Sequence, residues 1–307
     1  MKKYTGLFAV LVVFTVLLAG CGSKTADTDA DAAGGNGASV TEETSPETGG
    51  ADTGEASDTL TRLREQGYIT IASSNDAPLS YIDVETNEYT GVDGEIFKEI
   101  MRRLGVPEVR MKTVAFENLL IELNNKSVDI VVDAMYIKPE RQEIALFTNV
   151  WYSEGDCLLV KSDSDIRSLA DLKDKTVGAQ KGTAFLEIAQ SWESEGLIKE
   201  LIIMGSQSEL MLSVNTGKVD ACITDSIIAG YTLTQDSSLD LKLAEDYVPD
   251  STGNIGAALR FEDKDFCEEI NTVLDEMKED GSLMKYLEQY GMDESSFVGV
   301  EEGKTVQ

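Results

Sequence analysis

The stretch KSVDIVVDAMYIKPER, residues 126–141, decides the reading of this chain. Within it, residues 128–132 form an apolar, β-branched run interrupted only by Asp129, the pattern of a strand buried on both faces of a parallel sheet. The run ends at Asp133 and opens into a polar, aromatic loop that closes on Arg141. Open α/β sheets bind ligands outside the carboxyl ends of their strands, so the stretch predicts both a fold class and the edge where a ligand sits. Further along, KVDACITD (218–225) repeats the pattern: a lysine, a Val-Asp pair, small or apolar residues, then Asp225 at the strand's end. Two lobes built alike would point these two edges at one cleft.

The flanking sequence supports that plan. Before the opening stretch come a lead-in helix at 59–66, a strand at 68–72, a turn-rich loop through Pro78 and a hairpin over 81–89. A helix at 94–104, a strand at 109–114 and a helix at 116–123 complete a βαβα order, which predicts a parallel sheet with right-handed crossovers. A strand at 156–160 leads into the second lobe. There, helices at 165–172, 182–192, 208–215 and 227–234 alternate with strands at 176–179, 201–204 and 219–225. A strand at 257–260 and amphipathic helices at 263–277 and 283–290 return to the first lobe. The expected boundaries are 59–153 plus 254–297 for lobe 1 and 154–253 for lobe 2, with hinge crossovers near 152–157 and 249–255. Residues 298–307 remain as a flexible tail.

The ends and the composition narrow the possible roles. Lys2 and Lys3 precede an apolar run at 7–18 that closes with Leu18-Ala19-Gly20-Cys21, the pattern of a cleaved export signal over 1–20 and too short to span a bilayer. The tetrapeptide resembles the bacterial lipobox, which implies a lipid on Cys21 and an extracytoplasmic, membrane-anchored protein. Residues 21–58 are rich in Gly, Ala, Ser, Thr and acidic residues with no aromatic, and read as a disordered acidic tether. A formal charge of −30 opposes nucleic-acid and anionic membrane surfaces. The absence of histidine removes His-based triads and His metal sites. Cys157, Cys222 and Cys267 lie in apolar patterns and read as buried thiols, with one disulfide between two of them as the alternative.

Seven motifs together resemble the family 3 extracellular solute-binding proteins, which deliver amino acids and similar small solutes to ABC importers. They are YTGVD (89–93), DIVV (129–132), KPER (138–141), Phe147-Thr148, SLADLK (168–173), VGAQKGT (177–183) and EDGSLMKY (279–286), and the resemblance spans about 59–292. It implies a two-lobed α/β periplasmic-binding-protein (Venus flytrap) fold, each lobe a mostly parallel sheet flanked by helices. It further implies a monomer that captures a small zwitterion by hinge closure, an importer permease as partner, and no catalytic residue, cofactor or metal.

By that resemblance Arg141 grips the ligand carboxylate, as a planar guanidinium can do bidentately. Thr183, at a helix start where free N–H groups and the helix dipole favour an anion, meets the same carboxylate or is a helix cap. Asp225 receives the ligand ammonium or caps the next helix. The wording NDAPL (75–79) and AMYI (134–137) is similar to the branch that includes ectoine-binding proteins. In that branch the acidic position matches Asp76 and the aromatic positions match Phe116 and Tyr136, while Leu79 stands where an aromatic is expected. Ala134 and Gln180 complete the expected ligand-binding set. Asp133 either attracts a cation or satisfies nearby backbone N–H groups. Two other classes stay open: an enzyme like the cyclohexadienyl dehydratases, with Asp76 or Asp133 as general acid, and a sensor input module.

Overall fold

A 3.6-residue apolar period and a run of short parallel strands build the first lobe. In the computed structural model, which describes residues 57–250 and 252–306, α1 (Asp58–Gln66) is capped by the Ser57 hydroxyl and stopped by Gly67 in a left-handed conformation. It leads into β1 (Tyr68–Ser73), the hairpin strands β2 (Tyr81–Ile82) and β3 (Tyr89–Thr90), and α2 (Val92–Arg103). Val92, Ile96, Phe97, Ile100 and Met101 bury one face of α2, as amphipathic spacing requires. Next come β4 (Glu108–Thr113), a 3-10 turn at Phe116–Asn118, α3 (Leu119–Asn124), β5 (Ile130–Val131), α4 (Pro139–Gln142) and β6 (Leu146–Phe147). The lobe 1 sheet runs β4-β1-β5 in parallel and is completed by an antiparallel pair, β6 and β13 (Ala258–Leu259), with β13 between β5 and β6.

The second lobe is one continuous insertion. Strand β7 (Tyr152–Lys161) crosses from the first lobe into it. It is followed by a 3-10 turn at Leu169–Leu172 with a Ser168/Asp171 capping box, then β8 (Thr176–Gln180), α5 (Ala184–Ser194), β9 (Glu200–Met204) and α6 (Gln207–Asn215). The insertion closes with β10 (Ala221–Asp225), α7 (Ser226–Gln235), β11 (Leu241–Leu243) and β12 (Thr252–Ile255). Its sheet has the order β11-β7-β10-β8-β9; β10-β8-β9 is parallel and β7 antiparallel. The two crossovers pair with each other: β12 lies antiparallel on the start of β7, with Tyr152 opposite Ile255 and Glu154 opposite Gly253. The hinge is therefore a two-stranded ribbon.

Finally, α8 (Lys264–Glu279) and α9 (Ser282–Gln289) return to pack on α2. In residues 298–306, expected as a flexible tail, Gly303 O accepts from Val150 N at 2.8 Å and Thr305 Oγ1 donates to Thr148 O at 2.8 Å. Cys157, Cys222 and Cys267 are all free and buried. The expected signal at 1–20, Cys21 and the tether up to residue 56 lie outside the described residues. Among the described residues no helix is long and apolar enough to cross a membrane.

Candidate functional site

The carboxyl ends of β5 and β10 meet across one cavity. It is lined from lobe 1 by Ser74, Asp76, Leu79, Phe116, Asp133 and Ala134, and from lobe 2 by Gln180, Thr183, Gln207, Asp225 and Ile228. Its volume is about 30 Å³. Asp76, Gln207 and Ile228 also border a groove of about 590 Å³, which runs outward past Tyr81 and Ile82 on one lobe and Met211 and Tyr231 on the other.

Each acidic wall is built locally. Asp133, 4% exposed, accepts hydrogen bonds from Ser73 Oγ at 2.7 Å, Ser74 N at 2.9 Å and Ser74 Oγ at 2.6 Å. Burial, reinforced by the neighbouring Asp76 charge, nevertheless pushes its pKa up to about 8. Desolvation of the ion here outweighs three donors. Asp76 lies 2.7 Å from the same Ser74 Oγ, so the two carboxyls compete for one hydroxyl proton, and burial raises Asp76 to about 6, with Asp225 across the cleft adding to the rise. Asp93, buried behind them, accepts from Ala134 N at 2.5 Å and Tyr152 Oη at 2.8 Å, and burial raises it to about 7. Its bond holds Ala134 at φ +44°, a left-handed conformation uncommon for a residue with a Cβ, and so fixes the sharp turn that follows β5.

The facing wall is made of helix starts. Asp225, 3% exposed, caps α7: its Oδ1 accepts the N–H of Ile227 at 2.8 Å and of Ile228 at 2.9 Å. Burial raises its pKa despite these donors. Thr183 caps α5, accepting from Leu186 N at 3.3 Å while donating to Gln180 O at 2.8 Å. The cap readings of Asp225 and Thr183 are thus realised, and both residues still border the cavity.

Tyr136 and Arg141 lie elsewhere. The Tyr136 backbone bridges to Ile255, and its ring meets Phe185 edge-on with centroids 5.6 Å apart. The ring covers Gly253 so closely that a Cβ there would stand 1.9 Å from Cε2. Arg141 donates to Tyr136 O at 2.9 Å and, across the lobes, to Gly182 O at 3.1 Å. Its guanidinium carbon sits 5.6 Å from the Phe116 ring centroid. Two ion pairs join the lobes beside it, Lys181 with Glu117 at 3.1 Å and Lys138 with Glu187.

Of the residues singled out in the sequence, Asp76, Leu79, Phe116, Asp133, Ala134, Gln180, Thr183 and Asp225 border the cavity, while Tyr136 and Arg141 do not line it. Ser74, Gln207 and Ile228 went unread. Glu154 did too, although an acid inside an otherwise buried strand was its signal. Among the described residues no group of His, Cys, Asp or Glu could hold a metal ion.

Comparison with known proteins is consistent with this geometry. The model of the bacterial extracellular solute-binding proteins, family 3, matches residues 69–293. The arginine-binding extracellular protein ArtP of Bacillus subtilis (strain 168) is 31% identical over 204 residues, covering 66% of this chain and 77% of that protein. The crystal structure of the P235GK mutant of ArgBP from T. maritima superposes with a TM-score of 0.67 at 28% identity, covering 76% of this chain and 98% of that one. The ancestral amino acid-binding protein AncCDT-1, a precursor of cyclohexadienyl dehydratase, gives a TM-score of 0.67 at 28% identity over 76% of this chain and 99% of that one.

Proposed function

The chain belongs to the bacterial extracellular solute-binding proteins of family 3, and from that membership we propose that it captures an amino acid with a cationic side chain and delivers it to the permease of an ABC importer. One observation carries the charge preference. Three carboxyls, Asp76, Asp133 and Asp225, border one cavity that has no lysine or arginine among its lining residues. The ammonium of a neutral amino acid can complete only one of them, whereas a second positive charge completes a second. ArtP, an arginine-binding extracellular protein, and ArgBP, solved in an arginine-bound form, are both similar to this chain.

In this reading Asp225 takes the α-ammonium. Asp76 and Asp133 take the side-chain cation, which reaches toward the groove between Tyr81 and Tyr231, whose ring faces attract cations. Arg141 takes the α-carboxylate, exchanging its bond to Gly182 O for the ligand. Ligand pockets run to about 300–1,000 Å³, so the lobes part about the β7–β12 ribbon to admit the solute and close on it. A ligand touching both lobes stabilises the closed form, and the permease reads that form. Cys21 carries the lipid that holds the mature protein at the membrane, and the protein acts as a monomer without catalysis.

A thermal-shift and calorimetric panel tests this. Arginine, lysine and histidine are compared with citrulline, which keeps arginine's shape without its charge, and with glutamine and ectoine. At a hundredfold excess over Kd the bound form gains about 2.7 kcal/mol, which at roughly 2–4 °C per kcal/mol is a rise of about 5–10 °C. A cationic amino acid should give that rise, with citrulline bound at least roughly tenfold more weakly. Tighter binding of glutamine or ectoine than of any cationic amino acid would refute the charge assignment. The proton that Asp133 retains near neutrality is the feature a dehydratase would use as a general acid. Turnover of prephenate would replace the binding role with that one.

A further inference from the structure

Glu154 lies in the hinge ribbon opposite Gly253 and is only 5% exposed. Among the described residues neither of its carboxyl oxygens accepts a hydrogen bond from an N–H or O–H group, and the carboxyl it lies against is that of Asp225. The groups acting on it are Asp225 from the end of β10, Asp93 from α2 and the Tyr136 hydroxyl from the turn after β5, none of them a cation. Tyr152 and Cys157 on its own strand feel its charge. A buried glutamate with no positive partner and two aspartates around it cannot ionise cheaply, and two carboxyls in contact share one proton.

We propose that Glu154 is the positioning residue for the cation-binding carboxylate of the second lobe: as a neutral acid it donates its O–H to Asp225, so that Asp225 alone presents a fixed negative charge to the ligand. This rests on the reading of Asp225 as the ammonium acceptor. The partition of the proton follows from local chemistry. Asp225 has two backbone N–H donors and the N-terminal end of α7 to favour its anion, whereas Glu154 has none. Burial accordingly holds the Glu154 pKa well above the ordinary carboxyl range, while the Glu154 contact works to lower that of Asp225. With Oδ1 given to the helix, a third donor fixes the rotation of the Asp225 carboxylate. The pair then carries one charge rather than two, which a single ammonium neutralises.

Because Glu154 stands on the ribbon itself, opposite the glycine that Tyr136 covers, the group that orients the ligand's counter-charge also moves with the hinge. Opening the ribbon would separate donor from acceptor and loosen Asp225 in the state that must release the solute.

Two measurements test this. In the ligand-free protein at pH 7, the infrared difference spectrum of wild type minus Glu154→Gln should show the C=O band of a protonated carboxylic acid; a carboxylate band in its place overturns the proposal. In calorimetry with L-arginine, Glu154→Leu should weaken binding about ten- to a hundredfold, the worth of a hydrogen bond to a charged group. Glu154→Gln, whose amide N–H can still donate to Asp225, should recover most of that loss. Equal loss in both variants, or none in Glu154→Leu, also overturns it. Asp225→Asn separates the two readings: undiminished arginine binding in that variant removes Asp225 from the ligand site. If Asp225→Asn abolishes binding while Glu154→Leu does not, the role of Glu154 alone fails.

Discussion

Asp133 shows how a single carboxyl can be both a structural and a binding group. Its three donors from Ser73 and Ser74 tie the end of β5 to the end of β1, yet its proton persists to about pH 8 because the site excludes water. A cation entering the cavity would supply what the serines do not. Asp133→Asn is therefore expected to weaken a cationic amino acid by roughly tenfold or more, while the ligand-free protein loses less stability between pH 5.5 and 8.5 than wild type does. Calorimetry and melts at both pH values check this, and an unchanged pH response would exclude Asp133 as its source. Arg141→Ala should remove ligand binding and leave the melting temperature of the empty protein nearly unchanged, since its partners are carbonyls at the lobe boundary. Asp76, Asp133, Thr183 and Asp225 were legible because strand ends and helix starts are written locally in sequence. Ser74, Gln207 and Glu154 were not, because strand pairing and the approach of the lobes place them. Tyr136 was legible as an aromatic but not as a cover for Gly253, a contact between residues more than a hundred positions apart.

Among the elements, the start of α5 controls how near the lobes can come. Gly182 has φ +82°, and a Cβ there would lie 2.9 Å from the Cα of Glu117 on the opposite lobe. Gly182→Ala adds both backbone strain and a wedge. It should hold the lobes apart, raising the radius of gyration in X-ray scattering with ligand present and weakening binding, with helix content unchanged. Wild-type scattering and affinity in that variant would mean the contact does not limit closure. The long helices α2 and α8 follow the expected periodicity closely, because a buried face of three or four turns repeats its signal. Short elements did not announce themselves: α4, β6, β11 and β12 span two to four residues each and owe their existence to partners. β5 is shorter than the apolar run that announced it, and the helix expected at 165–172 is a 3-10 turn closed by its capping box.

For the molecule as a whole, the buried acids at and behind the cleft set the response to pH. Asp76, Asp93 and Asp133 have folded-state values of about 6, 7 and 8 against an ordinary 3.8. Between roughly pH 4 and 8 the native state therefore binds more protons than the unfolded chain, and unfolding free energy falls as pH rises. The empty protein should melt at a higher temperature at pH 5.5 than at pH 8.5, by roughly 2–4 °C for each kcal/mol lost, and a bound cationic amino acid should narrow that gap. A melting temperature that is flat or rises over this range would contradict the assignment. The position of β13 also has a consequence in time. It completes the first sheet between β5 and β6, yet Phe147 at the end of β6 precedes Ala258 by 111 positions, the whole of the second lobe. As the chain emerges N-terminus first, the second lobe appears and can fold before β13 is available. Until β13 arrives the first lobe lacks a strand, and the apolar edge of β5 is left unpaired and open to pairing with other chains.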